Sequence, residues 1–167
     1  MIHLKPLSKD AIPSALAKAE RYRLLNEPGQ AESICLDVIA VDPDHQPALV
    51  MLILALTDQF AEHAAGTLQR ARDILPRLHD AYERAYYAGL ICERRARAQL
   101  AKGGHGSGQA AREWVKDALK HYADAETRRP AGNDDAILRW NACVRLLEQH
   151  PESHPDDDAS ARLLMLE

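Results

Sequence analysis

An alanine is followed by a proline twelve residues later at three places in this sequence, and this spacing limits the fold more than any other feature. The pairs are Ala31 with Pro43, Ala64 with Pro76, and Ala118 with Pro130. Four residues after each alanine stands a larger side chain and seven residues after it a small or modest apolar one, namely Cys35 and Val38, Leu68 and Ala71, and Tyr122 and Ala125. This is the spacing of one helical face. The pattern therefore predicts three helices that pack in similar surroundings and end at a proline.

The composition favours helices throughout the chain. Alanine and leucine number 28 and 22, whereas valine, isoleucine and threonine number 5, 8 and 3. Strong helix formers are thus abundant and strand formers scarce, which predicts an all-α protein. Apolar periodicity and Pro, Gly or Asp breaks predict seven helices, at about residues 8–26, 30–41, 47–60, 61–75, 79–101, 109–128 and 134–149. Residues 159–166 are a candidate for a further short helix that packs back on the others.

The first pair of helices carries a recognisable residue pattern, namely Ala19, Tyr22, Ala31, Val38, Asp42 and Pro43. This pattern resembles the tetratricopeptide repeat (TPR) family, whose units are hairpins of 34 residues. The resemblance implies one domain over residues 1–167, folded as a right-handed superhelix of about three hairpins with a C-terminal capping helix. The units would be residues 12–45, 46–78 and 79–132, followed by the capping helix 133–150 and an acidic tail 151–167. The third unit is longer by about 20 residues, which we place in a lengthened fifth helix and a glycine loop at 103–108.

The residues give little indication of catalysis. The glycine loop lacks the lysine and the preceding strand of a phosphate-binding loop. No cysteine pairs have metal-ligand spacing, and no residues suggest a catalytic triad. We therefore expect no enzymatic activity, cofactor or metal. A helical enzyme with a ligand at the glycine loop is the alternative.

Charge and apolar content restrict the partners. The net charge is −4, so nucleic acid is not an expected partner. The longest strongly apolar run, Ala48–Leu56, is shorter than a membrane span. Three well-separated cysteines indicate reduced, buried thiols, and together these features favour a cytoplasmic protein. Arg94 and Arg97 belong to a basic stretch of the fifth helix that either complements the helix dipole or forms a docking patch for an acidic peptide or nucleic acid.

The resemblance implies a partner-binding groove lined by the first, third, fifth and seventh helices. Its candidate residues are Glu20, Arg23, Asp58, Arg94, Asn141 and Arg145, with Tyr86 or Tyr87 as an anchor. Leu16 and Glu20 occupy the face on which some family members clamp a terminal carboxylate, which argues against that mode of binding. We predict a non-catalytic adaptor that binds a peptide or helix of another protein. The alternatives are a chaperone for a client protein and a self-assembling subunit that uses the third helix or Leu163–Leu166. The sequence leaves open whether Asp156–Asp158 cover the basic stretch.

Overall fold

The computed structural model describes residues 1–104 and 106–151, with only the backbone at residues 64 and 65. The candidate helix at 159–166, the acidic residues Asp156–Asp158 and any contact they make with the basic stretch lie outside the described residues. The same holds for the side chain of Ala64, one of the three repeated alanines.

The described part of the chain is helical without any strand, which confirms the all-α prediction. Seven α-helices follow one another: α1 (Ile12–Leu24), α2 (Pro28–Val41), α3 (Gln46–Asp58), α4 (Phe60–Ile74), α5 (Ala81–Lys102), α6 (Ser107–Arg128) and α7 (Asp135–Gln149). Short 3₁₀ turns at Lys9–Ala11 and Leu75–Arg77 precede α1 and follow α4. Within these residues, no helix is both long and apolar enough to cross a lipid bilayer.

The helix ends differ from the prediction where proline and glycine act locally. Pro28 was expected to separate two helices, but it is the first residue of α2, where a missing N–H has no cost and the fixed φ suits a helix. Ser107 and Gly108 were expected in the glycine loop, but they begin α6. The connection between α5 and α6 is therefore only four residues long. Such a tight turn requires positive φ angles, which are found at Gly103, Gly104 and Gly106.

The helices pack in two layers. Each even-numbered helix contacts the odd-numbered helices that precede and follow it, so that α2 packs on α1 and α3, α4 on α3 and α5, and α6 on α5 and α7. The odd-numbered helices also contact one another in the order α1, α3, α5, α7. The even-numbered helices lie together on one side of this layer, because Arg70 of α4 pairs with Glu32 of α2 and Arg72 of α4 lies over the Trp114 ring of α6. Within the described residues, no helix covers the other side.

The repeated residues occupy the helix interfaces. Ala31, Cys35 and Val38 in α2 are fully buried, as are Ala118, Tyr122 and Ala125 in α6. This burial confirms the predicted packing face of α2 and of α6. Small side chains at the contact let the helices approach closely. The length that was expected in the fifth helix and the glycine loop lies instead in α5 and α6, which have 22 residues each.

One glycine is essential to the packing of α5 on α6. A Cβ atom placed on Gly89 would lie 2.7 Å from Cε1 and 2.8 Å from Cδ1 of Tyr122. These separations are far below van der Waals contact, which for carbon atoms is reached at about 3.5–4.0 Å. Only glycine therefore allows the fully buried Tyr122 ring to pack directly on the α5 backbone.

Candidate partner-binding face

The solvent-facing side of α3 lies at the centre of the odd-numbered layer. Pro47, Met51, Leu54 and Asp58 follow one another at the spacing of one helical face, and each is at least partly exposed. Most of the remaining apolar side chains of this helix are buried in the core. The face thus presents a short apolar strip that ends in a carboxylate. We call the solvent-facing side of α1, α3, α5 and α7 the odd-helix face.

Asp58 joins three helices on this face. Its Oδ2 accepts a hydrogen bond of 2.7 Å from Nε of Arg23 in α1, and its Oδ1 accepts one from Nη1 of Arg94 in α5. The Asp58 side chain is 23% exposed, that of Arg23 is 18% exposed and that of Arg94 is 25% exposed. The sequence named all three as candidates, and the structure brings them into direct contact. One carboxylate is therefore shared by two guanidinium groups that remain accessible to solvent.

Two further contacts orient the arginines of this group. Nη1 of Arg94 also donates to the Thr57 hydroxyl at 3.1 Å, and Nη1 of Arg23 lies 3.9 Å from Sδ of Met51. Contacts on two sides restrict each long side chain to few rotamers, so the guanidinium groups are held in place before any partner binds.

A second carboxylate has similar surroundings on α5. Glu93 is only 1% exposed, and its Oε2 accepts a 2.8 Å hydrogen bond from the Tyr122 hydroxyl. Its Oε1 accepts one of 3.1 Å from Nε of Arg97, and Nη1 of Arg139 in α7 lies 3.5 Å from the same oxygen. A buried carboxylate needs such partners to offset the loss of hydration. Glu93 thus links α5, α6 and α7.

Tyr86 and Tyr87 lie in packing contacts. The Tyr86 ring centre is 5.8 Å from that of Tyr82 and 5.9 Å from that of Tyr122. Tyr87 packs on the core around α3, and burial raises its pKa to about 12. Both are nevertheless partly exposed. Their role as an anchor for a partner stays a prediction.

The other predicted residues lie apart from this cluster. Glu20 is exposed on α1 and stands one turn before Arg23, while Asn141 and Arg145 are exposed on α7. The hydrogen bonds and ion pairs of Asp58 in the described part of the chain go to Arg23 and Arg94 and to none of these three residues. Their role in binding also stays a prediction.

Three further features bear on possible chemistry, namely the cysteines, the candidate metal ligands and a hollow near the glycine loop. The three cysteines are buried, and burial raises the pKa of the Cys35 and Cys143 thiols to about 12 and that of Cys92 to about 11. Such thiols carry almost no reactive thiolate at neutral pH. Within the described residues, no three His, Cys, Asp or Glu side chains form a group suited to a metal ion. A shallow hollow at the start of α6 has a cavity volume of only about 10 Å³, and its lining includes Leu100, Val115 and Leu146 together with Arg112 and His150.

Sequence reasoning did not assign a role to the second carboxylate group. The separation of Glu93 and Arg97 by four residues marks them as a helical pair, but nothing in the sequence connects Glu93 with Arg139 or with the Tyr122 hydroxyl. These contacts depend on how α6 and α7 pack on α5. Only the three-dimensional structure establishes that register.

Comparison with known proteins adds no further assignment. No protein-family model, no curated protein and no solved structure matches this chain. The case for its function therefore depends on the geometry above.

Proposed function

We propose that this protein is a non-catalytic adaptor that binds an extended or helical peptide segment of another protein on the odd-helix face. The proposal includes a TPR-like arrangement of the helices, in which the odd-numbered helices line the groove. One observation carries it: Asp58 of α3 holds Arg23 of α1 and Arg94 of α5 side by side on the solvent-facing side of the layer.

Three features of this face suit a peptide. The apolar strip of Met51 and Leu54 offers contact area to hydrophobic side chains. The arginines beside it have N–H donors that can bind backbone carbonyls or carboxylates, because a guanidinium group carries five of them. Their present contacts hold them in position, which lowers the entropic cost of binding. A groove between helices is a common way to bind such segments.

The test is a selection of short random peptides displayed on phage against the purified protein. We expect a family of related sequences to be enriched and to bind the isolated protein in solution. The variant Leu54→Gln should lose this binding, because it places a polar side chain at the centre of the apolar strip without adding a charge.

The matched control is Leu36→Gln on α2. Leu36 is also an exposed leucine on a helix, but it lies in the even-numbered layer. This variant should bind the selected peptides as the unaltered protein does, and circular dichroism should show that both variants are folded. A selection that enriches no sequence family, or peptides lost equally with both variants, would refute the proposed function.

A further inference from the structure

The group around Asp58 of α3 and the group around Glu93 of α5 each include an arginine of α5, namely Arg94 and Arg97. Arg94 and Arg97 are three residues apart, so their side chains share a face of α5. Arg94 reaches towards α3 and pairs with Asp58, whereas Arg97 stays on its own helix and pairs with Glu93. Neighbouring arginines of α5 therefore join the Asp58 group to the Glu93 group. In the odd-numbered layer, α5 lies between α3 and α7.

Positive charge exceeds negative charge within this pair of groups. Four guanidinium groups, those of Arg23, Arg94, Arg97 and Arg139, surround two carboxylates. Two positive charges are thus unbalanced, although the whole chain carries a net charge of −4. We call these four arginines the arginine belt, since they run from α1 across α5 to α7.

The belt is accessible as well as charged. The side chains of Arg97 and Arg139 are nearly half exposed, whereas the Glu93 carboxylate that they contact is buried. An incoming anion would therefore meet these two guanidinium groups and not the Glu93 carboxylate. At the other group, Asp58 is about as exposed as Arg23 and Arg94. Each arginine has five N–H donors, and one carboxylate cannot satisfy two such groups. Counting only partners in the described part of the chain, these groups have donors to spare for bidentate contacts with the carboxylates of a ligand.

From this geometry we infer that the partner segment is acidic and that its Asp or Glu side chains bind the arginine belt. The inference rests on the proposed function and specifies the chemistry of its ligand. Apolar side chains of the same segment would contact Met51 and Leu54. Glu20 lies one turn before Arg23, so it would repel an acidic segment at the α1 end. Acidic residues should therefore concentrate in the part of the ligand nearest α5.

The peptide selection described above also tests this inference, through the charge of the enriched sequences. We expect at least two acidic positions in the enriched family and weaker binding of a synthetic member when its Asp and Glu are changed to Asn and Gln. Arg94→Gln and Arg97→Gln should each weaken binding of the acidic peptide by about tenfold or more, because each removes a charge-assisted contact. Glu20→Gln should tighten it. Added salt should weaken it.

The matched control is Arg128→Gln on α6. Arg128 also forms an ion pair with an aspartate, Asp124, but in the even-numbered layer. Its removal should leave the affinity of the acidic peptide unchanged. Circular dichroism and thermal unfolding of each variant would show that the fold is intact.

The outcomes distinguish the two proposals. If neutral or basic peptides are enriched and are lost in Leu54→Gln, the odd-helix face binds peptides but the acidic inference is wrong. If no peptide family is enriched, both are wrong. A short single-stranded RNA that binds with the same dependence on Arg94 and Arg97, where the acidic peptide does not, would identify the belt as a nucleic-acid site and would overturn the inference.

Discussion

Replacing Gly89 with alanine tests the packing of the third hairpin. The added Cβ would lie 2.7 Å from Cε1 of Tyr122. The ring cannot easily move, because Tyr122 is fully buried and its hydroxyl donates a 2.8 Å hydrogen bond to Oε2 of Glu93. The clash can therefore be relieved only if α5 and α6 move apart or the hydrogen bond between Tyr122 and Glu93 is distorted.

The expected effect is the difference between two opposing contributions. Overpacking of a well-packed interior costs about 1–3 kcal/mol. Alanine in place of glycine inside a helix stabilises by about 1 kcal/mol. Since the contact is much closer than atoms tolerate, we expect the upper part of the first range and a net loss of roughly 1–2 kcal/mol of unfolding free energy. The melting temperature should fall by about 2–4 °C for each kcal/mol.

A second glycine provides the control. Gly66 lies within α4, and a Cβ there would meet no atom within 4 Å. Gly66→Ala should therefore stabilise the protein by about 0.5–1 kcal/mol. Urea unfolding followed by circular dichroism measures both changes. The reasoning is refuted if Gly89→Ala is as stable as the unaltered protein, or if Gly89→Ala and Tyr122→Leu are strictly additive in the double variant, since the smaller leucine side chain should relieve the clash.

Three other predictions concern buried groups and a helix end. Tyr122→Phe should lower the unfolding free energy by about 1–3 kcal/mol, because it removes the hydroxyl that donates to the buried Glu93; an unchanged urea midpoint would contradict this. Asp80→Ala should cost about 1 kcal/mol, because the Asp80 carboxylate accepts the hydrogen bond from the Tyr82 amide at the start of α5; an Asp80→Asn variant should retain most of the stability. The stability should also fall as the pH rises above about 9, where cysteines of the unfolded chain ionise while the folded thiols, with pKa values of about 11–12, keep their protons. Tyr87 adds to this loss of stability near pH 10, because burial also raises its pKa. Equal urea midpoints at about pH 8 and about pH 10 would show that the cysteines and Tyr87 are not buried.

Much of the helical arrangement could be predicted because its causes are local. Abundant alanine and leucine specify helices, and Pro43 and Pro130 follow α2 and α6 as the repeat predicted. The helix ends were harder to predict, since Pro28 can either stop a helix or start one. The choice depends on whether the preceding turn places the chain in the direction of the next helix.

The candidate site could be predicted only in part. The resemblance to tetratricopeptide repeats made Arg23, Asp58 and Arg94 candidates for one groove, and the structure brings them together. The contacts of Glu93 with Tyr122 and Arg139 join residues that lie 29 or more positions apart. Such contacts depend on the register of three packed helices, and no short-range pattern encodes that register.

The most direct test of the proposed binding face is a map of the peptide contact by NMR. Amide and side-chain shifts of the isotope-labelled protein would be recorded with and without a peptide from the selection. The account predicts that the largest changes occur at Arg23, Leu54, Asp58 and Arg94 on the odd-numbered helices, and that Leu36 and Arg128 on the even-numbered layer are unaffected. Changes confined to α2, α4 and α6 would contradict it, because the peptide would then bind the opposite side of the molecule.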